Sequence, residues 1–235
     1  MAGAAFQGFT QDTLKFFKEL KENNRKEWFE ANRERFERVV LEPAKKFVAE
    51  IGHRLTEWAP EVVAVPRIDQ SIFRLHRDVR FSKDKRPYKT HFAMFFWEGP
   101  FMKVENPGFY LHFDDTHLFT GAGLHQFGPQ QLKIYREAVV NPAYGPALAA
   151  ILSKITEDTQ IRLSEPEYKK VPRGFDANHP LADLLRYKGV AGYTETGIPE
   201  EFFGPEFLDY ILKRWEPLVP LHSWMREVMK QGEMA

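Results

Sequence analysis

The 235-residue chain contains no cysteine. This removes disulfides, thiolate nucleophiles and cysteine-type zinc sites together, and it fits a reducing compartment. There is also no net charge. The 33 Lys and Arg balance 33 Asp and Glu, so no overall field draws the molecule to nucleic acid or a membrane, and any polyanion binding has to be local. Long apolar runs are missing: Phe92–Trp97, which no run exceeds, is too short to span a bilayer. Met1–Phe6 carries neither the basic region nor the apolar stretch of a signal peptide, and the expectation is a soluble, cytoplasmic chain with no membrane partner. No Gly-x-Ser-x-Gly elbow, Gly-Lys-Ser/Thr phosphate loop, dinucleotide fingerprint or His-Glu-x-x-His pair occurs, and no cofactor is indicated.

What is present is core-forming material: 43% hydrophobic residues, including 21 Phe, enough for one large domain. Thr10 is placed to cap a helix carrying Leu14, Phe17 and Leu20, with Asn23-Asn24 as its stop. A second helix carries Trp28, Phe29, Phe36, Val39 and Val40. Pro43 opens a third with Phe47, Ile51, Leu55 and Trp58 on one face. From Ile68 the pattern shifts toward period two, predicting strands near 70–81, 91–97, 108–113 and 117–122. Helices are expected after Gly128-Pro129, over about 146–154, and through Phe207, Ile211, Trp215, Trp224 and Val228; residues 156–200 read as short fragments between Pro and Gly. The expectation is a single α+β domain over 1–235, helical over 10–58, strand-rich over 68–122, with helices and irregular loops over 129–230. Its mainly antiparallel sheet is packed by N-terminal and C-terminal helices.

Charge is unevenly placed within this frame. Val65–His91 holds eight Lys or Arg against three Asp, a local excess of five. Strand alternation puts Ser71, Phe73, Leu75, Val79 and Phe81 on one face with Arg77, and Ile72, Arg74, His76, Asp78 and Arg80 on the other. Arg74 and Arg80 would lie roughly 20 Å apart on a straight strand, too far for one phosphate. Lys83, Lys85, Arg86 and Lys89 follow in a loop around Pro87.

The block Arg77-Asp78-Val79-Arg80-Phe81-Ser82-Lys83-Asp84-Lys85, with Asn23–Asn32 before it and Pro107–His112, Gly121-Ala122-Gly123 and Val171–Asp176 after it, resembles an uncharacterised microbial family, domain of unknown function 2461. The resemblance covers nearly the whole chain and implies an intact single-domain member. It brings no catalytic residues. Gly121-Ala122-Gly123 stands where that pattern has three consecutive glycines, which weakens a glycine-loop argument there.

Read from the residues, the basic segment is a candidate site for a small anionic, phosphorylated ligand. Arg74, Arg77, Arg80, Lys83, Lys85 and Lys89 would clamp it, with His76, His91 or His112 moving protons. Tyr110 shares a strand face with His112 and Asp114, and Arg173 sits in a second basic segment, 169–175, positioned to close over a ligand. The blander alternatives are a charged edge strand or Arg77-Asp78 tied into an ion-pair network. Phe73, Phe81, Tyr88 and Phe92 interleave with the basic residues, so a nucleic-acid partner is the other reading, and a scaffold without chemistry a third. The spacings His76-x-Asp78 and His112-x-Asp114, with His179 and Arg186, resemble an iron triad only weakly, and no metal is assigned. Asn24, Trp28 and Asn32 share a helix face and are expected to fix helix docking.

Overall fold

The structure, a computed structural model, describes residues 5–233; Met1–Ala4, which include most of the N-terminal stretch read above, lie outside the described residues. Helix α1 (Gln11–Glu22) starts at the expected cap, with Thr10 and Thr13 forming a reciprocal capping box. The next stretch is broken more finely than its periodicity predicts: α2 (Lys26–Ala31), α3 (Arg33–Phe36), a π turn (Glu37–Leu41) and α4 (Glu42–Leu55) run almost end to end. Pro43 sits where the π turn passes into α4, and Val39 O, four residues before it, accepts instead from the Thr13 hydroxyl (2.7 Å).

Five strands form one sheet in the order β1-β2-β3-β5-β4, and every pairing is antiparallel. They are β1 (Phe92–Trp97), β2 (Gly108–Phe113), β3 (His117–Leu124), β4 (Arg162–Leu163) and β5 (Val190–Gly197). Helices α5 (Pro129–Val140), α6 (Tyr144–Ile155), α7 (Phe207–Trp215) and α8 (Val219–Glu233) complete the α+β domain. Strand β5 is absent from the expectation above, and 70–81 is not a strand. Residues 71–73 do run beside the free edge of β1, through Phe73 N–H to Ala93 O (3.0 Å) and Phe95 N–H to Ser71 O (2.8 Å). Beyond His76 the chain folds back on itself, with Arg77 N–H to Pro87 O (2.8 Å) and Lys89 N–H to Leu75 O (2.8 Å). Asp78 and Asp84 each accept the amide two residues on, from Arg80 and Arg86, and these local turns defeat extended pairing.

The two faces of the sheet have different coverings. Phe92, Met94, Phe96, Phe109, Leu111, Phe113, Leu118 and Ala122 point toward the helices and are buried. Phe9 and Phe17 pack on Phe113, and Trp215 packs on Phe96 and Phe109. Burying this aromatic layer supplies most of the driving force for folding, at about 25 cal/mol per Å² of apolar area removed from water. Among the described residues no α-helix is stacked on the opposite face, which is bordered by the short 3-10 turn Lys103–Glu105. Tyr110, His112, Phe119 and Tyr193 stand there half-exposed.

Asn24 lies between α1 and α2 and not on the helix face assigned to it, yet it does the docking work expected there. Its Nδ2 donates to Tyr88 O (2.9 Å) and its Oδ1 accepts from Tyr88 N–H (3.0 Å), fastening the basic loop to the helices, while Phe29 stacks on the Tyr88 ring at 4.3 Å. Asn24→Ala should cost about 2 kcal/mol in chemical denaturation, because two backbone groups of Tyr88 lose their partners. Limited proteolysis should then cut within 77–87; an unchanged midpoint and cleavage pattern would remove this role.

Candidate functional site

The open sheet face can be read strand by strand from the register. Phe95 faces Tyr110, Tyr110 faces Gly121, and Gly121 faces Tyr193. One row toward the β2–β3 turn, Ala93, His112, Phe119 and Glu195 line up; one row the other way, Trp97, Gly108, Gly123 and Ala191 do. Directly paired residues project from the same face, so this surface carries upright rings beside a strip with almost no side chains. A groove of about 1010 Å³ lies over it. Phe73 and Phe95 flank it on one side, Leu124–Gly128 and Ser164–Glu167 on the other.

His112 stacks on Phe119 at 4.9 Å with the planes 7° apart, and Phe119 continues onto Tyr193 at 5.3 Å. The Tyr110 hydroxyl is 3.1 Å from His112 Nδ1. The His91 ring lies 4.8 Å from that of His112. Burial first, then the neighbouring His91, pushes His112 down to about 4, against a weaker pull from Asp114. His91 is lowered in the same way, by burial and then by the charge of Lys89. Burial raises the Tyr110 hydroxyl to about 12, so it stays protonated. Asp114 is committed to its own turn, accepting from Thr116 N–H and His117 N–H (2.7 Å each).

Two ammonium groups share the Phe73 ring: Lys103 Nζ lies 3.9 Å from its centroid and Lys89 Nζ 5.3 Å. Lys103 also donates to Gln70 O. Among the described residues neither lysine has a carboxylate within ion-pair distance. Burial lowers both, Lys103 to about 8, with their mutual repulsion or that of Arg74 adding and Asp69 opposing. Phe73 in turn meets Tyr110 edge to face at 6.2 Å, linking the lysine pair to the tyrosine–histidine cluster.

The structure thus gathers Lys89, His91, Tyr110 and His112, and Arg74 is close enough to Lys89 to act on its titration. The other sequence candidates lie apart. Arg77 binds Asp84 (2.7 Å) and Arg86 O (3.0 Å), and Arg80 grips Asp78 through Nε and Nη2. Lys85 donates to Val79 O, and Lys83 projects into solvent. His76 is exposed beside Tyr88 and Phe29. Arg173 is exposed on its loop. Among the described residues no hydrogen bond, ion pair or ring contact joins these six to His91, His112 or Tyr110. For Arg77 and Arg80 the ion-pair alternative describes what is seen. Tyr88 and Phe92 are buried, so they offer no face for stacking. No group of three or more His, Asp or Glu is gathered for a metal ion among the described residues.

Sequence reasoning missed Lys103, Phe119 and Tyr193. Lys103 had no signal, being one lysine in an irregular loop; Tyr193 lies in an alternating run that was readable. The glycines were undervalued. Gly121 and Gly123 belong to a strand, not a loop, and Ala122 between them faces the helices, so the departure from three glycines leaves the groove floor intact. Gly123 has φ +126°, and a Cβ there would lie 2.4 Å from Val190 O, so only glycine fits.

Fold and site together define an α+β domain with one helix-covered and one open sheet face; the open face carries an aromatic groove lined by Glu105, Glu165 and Glu167, with Lys89 and Lys103 beside it on the Phe73 ring. The pattern of the conserved hypothetical protein family DUF2461 matches residues 12–224, and the chain belongs to that family. Comparison with curated proteins finds no match. No helix among the described residues is long and apolar enough to cross a membrane.

Proposed function

We propose that the domain binds a small anionic, phosphorylated ligand in the open-face groove, with the charged group held at the Lys89–Lys103–His91–His112 end. The observation carrying this is the pair of half-buried lysines, without carboxylate partners, beside two histidines that are neutral at pH 7. Such a site is electrostatically unfinished: an anion there would relieve the repulsion between the lysines and favour protonation of the histidines. Tyr110 keeps its proton and can donate it in a hydrogen bond. A histidine that gains a proton as the anion arrives is also placed as a general acid, which is the catalytic possibility this reading carries. The groove, not the arginines of 77–86, is the site, because those arginines already have acidic partners. A cysteine-free, cytoplasmic setting accompanies this reading.

Isothermal titration with inorganic phosphate tests it. Lys103→Ala and Lys89→Ala should each weaken binding about tenfold or more, the loss of one charge-assisted contact, and Arg80→Ala should leave it unchanged. Loss of binding in Arg80→Ala alone would return the site to the 77–86 loop.

A further inference from the structure

Two surfaces of the molecule complement each other and do not meet within one chain. The first is the tip of the basic loop. Ser82 N–H donates to Val79 O (3.3 Å), which puts Phe81 at the corner of a turn, and Phe81 is 94% exposed. A single exposed apolar residue is ordinary on a protein surface. This one stands on a braced support. Arg77 binds Asp84, Arg80 binds Asp78 and Arg86 binds Asp84, while Lys85 Nζ donates to Val79 O (3.0 Å). The Arg77–Pro87 hydrogen bond closes the base of the loop, and Asn24 fastens Tyr88 to the helices. A loop held in this way has little freedom left to lose on docking.

The loop is also cationic. Residues 77–87 carry five Lys or Arg against two Asp, an excess of three. Both Asp are already engaged by arginines, so Lys83 and Lys85 stand without a carboxylate partner among the described residues.

The second surface is the groove on the open sheet face. Glu105, Glu165 and Glu167 line it, and no Lys or Arg does. Glu167 has Lys188 at 3.2 Å; Glu105 and Glu165 have no cation within ion-pair distance among the described residues. Tyr110, Phe119 and Tyr193 present half-exposed rings to it. Phe119 fills the space between the two tyrosines, so an incoming ring lies over these three and not between them. The groove, at about 1010 Å³, holds a phenyl side chain with room for the turn that carries it. Lys89 and Lys103, on the Phe73 ring, stand at one end and repel a cationic loop. They direct it to the opposite wall, where Glu165 and Glu167 lie.

Phe81, being almost fully exposed, lies outside the groove of its own chain, and the ion pairs hold it there. The groove open to it belongs to another molecule. We infer that two copies of this chain associate by seating Phe81 of one in the open-face groove of the other, with Lys83 and Lys85 facing Glu165 and Glu167. Exchanged reciprocally, the two contacts close a two-fold dimer. The inference stands on loop and groove alone; the anion of the preceding reading sits at the Phe73 end, which the loop leaves open.

Sedimentation velocity of the full chain over a rising concentration series tests it. The mass should pass from that of one chain to that of two. Phe81→Ser, which removes a ring outside the core, should weaken association about tenfold or more and leave thermal unfolding unchanged. Lys83→Glu with Lys85→Glu should weaken it likewise, as should Glu165→Lys with Glu167→Lys. Mixing these two charge-reversed variants should restore a mixed dimer, because each reversed loop then meets a reversed groove; native mass spectrometry identifies it. A one-chain mass at every concentration overturns the inference and frees the loop for a partner of another kind. A dimer that survives Phe81→Ser and both reversals overturns it too, by placing the interface elsewhere, and so does a mixture that fails to associate.

Discussion

Glu98→Ala should lower stability by about 3–5 kcal/mol, the largest single effect expected of any polar substitution in this chain. Glu98 follows β1 directly and is fully buried. Its Oε1 accepts from Glu61 N–H (2.9 Å), and its Oε2 meets His222 Nε2 (3.3 Å) and Arg226 Nη1 (3.2 Å). One carboxylate thus joins the connection after α4, the end of β1 and helix α8. Burial alone would raise this carboxyl; the hydrogen bonds from His222 and the Glu61 amide, with the Arg226 charge, outweigh it and hold the group at about 2. Burial keeps His222 neutral against the pull of Glu98, and its ring lies on Phe109 at 4.5 Å. Removing the carboxylate leaves a buried backbone N–H and a buried imidazole N–H without partners and Arg226 without its counter-charge. For a domain of this size a drop of about 10 °C in Tm corresponds to a loss in that range. A change under 2 °C would show that the cluster is dispensable.

The second large effect is on pH dependence, and it reports on the candidate site. His112 is pushed down to about 4 in the fold, and in the unfolded chain it titrates near the ordinary value of about 6.5. A folded-state pKa below the unfolded one means that the unfolded chain binds the extra proton first. The stabilisation is therefore complete above about pH 6.5, declines as pH falls, and is fully lost below about pH 4. On the order of 2–3 kcal/mol is at stake for His112, and His91 adds to it in the same direction. Glu98 contributes in a separate, lower window, with stability present above about pH 4.5 and lost toward pH 2. Urea midpoints measured from pH 7.5 to 4.5 should fall in wild type, and fall much less in His112→Gln. Added phosphate should stabilise wild type more at pH 5.5 than at 7.5, because binding and protonation favour each other at one place. A slope as steep in His112→Gln as in wild type would show that other groups carry the pH dependence.

The α+β class, the helix starts at Thr10 and Pro43, and β1–β3 were legible because they rest on local signals: caps, proline positions and apolar periodicity. Strand β5 was also writable in advance. Val190, Gly192 and Thr194 alternate with Ala191, Tyr193 and Glu195 between two glycines, but the surrounding prolines drew the segment toward loop. The basic segment misled for a different reason. Its alternation from Ser71 to Phe81 is real, and Ser71 and Ile72 are buried as a strand beside β1 requires. Past His76, however, Asp78 and Asp84 bind their own neighbours, and Phe81, assigned to the core face, is 94% exposed. Periodicity cannot show whether a carboxylate will turn the chain on itself. Nor can it show that Lys103, twelve or more residues from every other candidate except Tyr110 and His112, returns to share the Phe73 ring with Lys89. Such convergence is tertiary, and only the register of β1, β2 and β3 reveals it.

The claim at the centre of this account is that the anion sits at the histidine–lysine end of the open sheet face. Nitrogen NMR of the histidine rings and arginine side chains, titrated with pH in the presence and absence of saturating inorganic phosphate, addresses it residue by residue. The expected result is a rise of about one pH unit or more in the His112 midpoint, with His91 following, and no movement of the Arg77 and Arg80 Nε signals. Unshifted histidine midpoints together with displaced Arg80 signals would contradict it and move the site to the 77–86 loop.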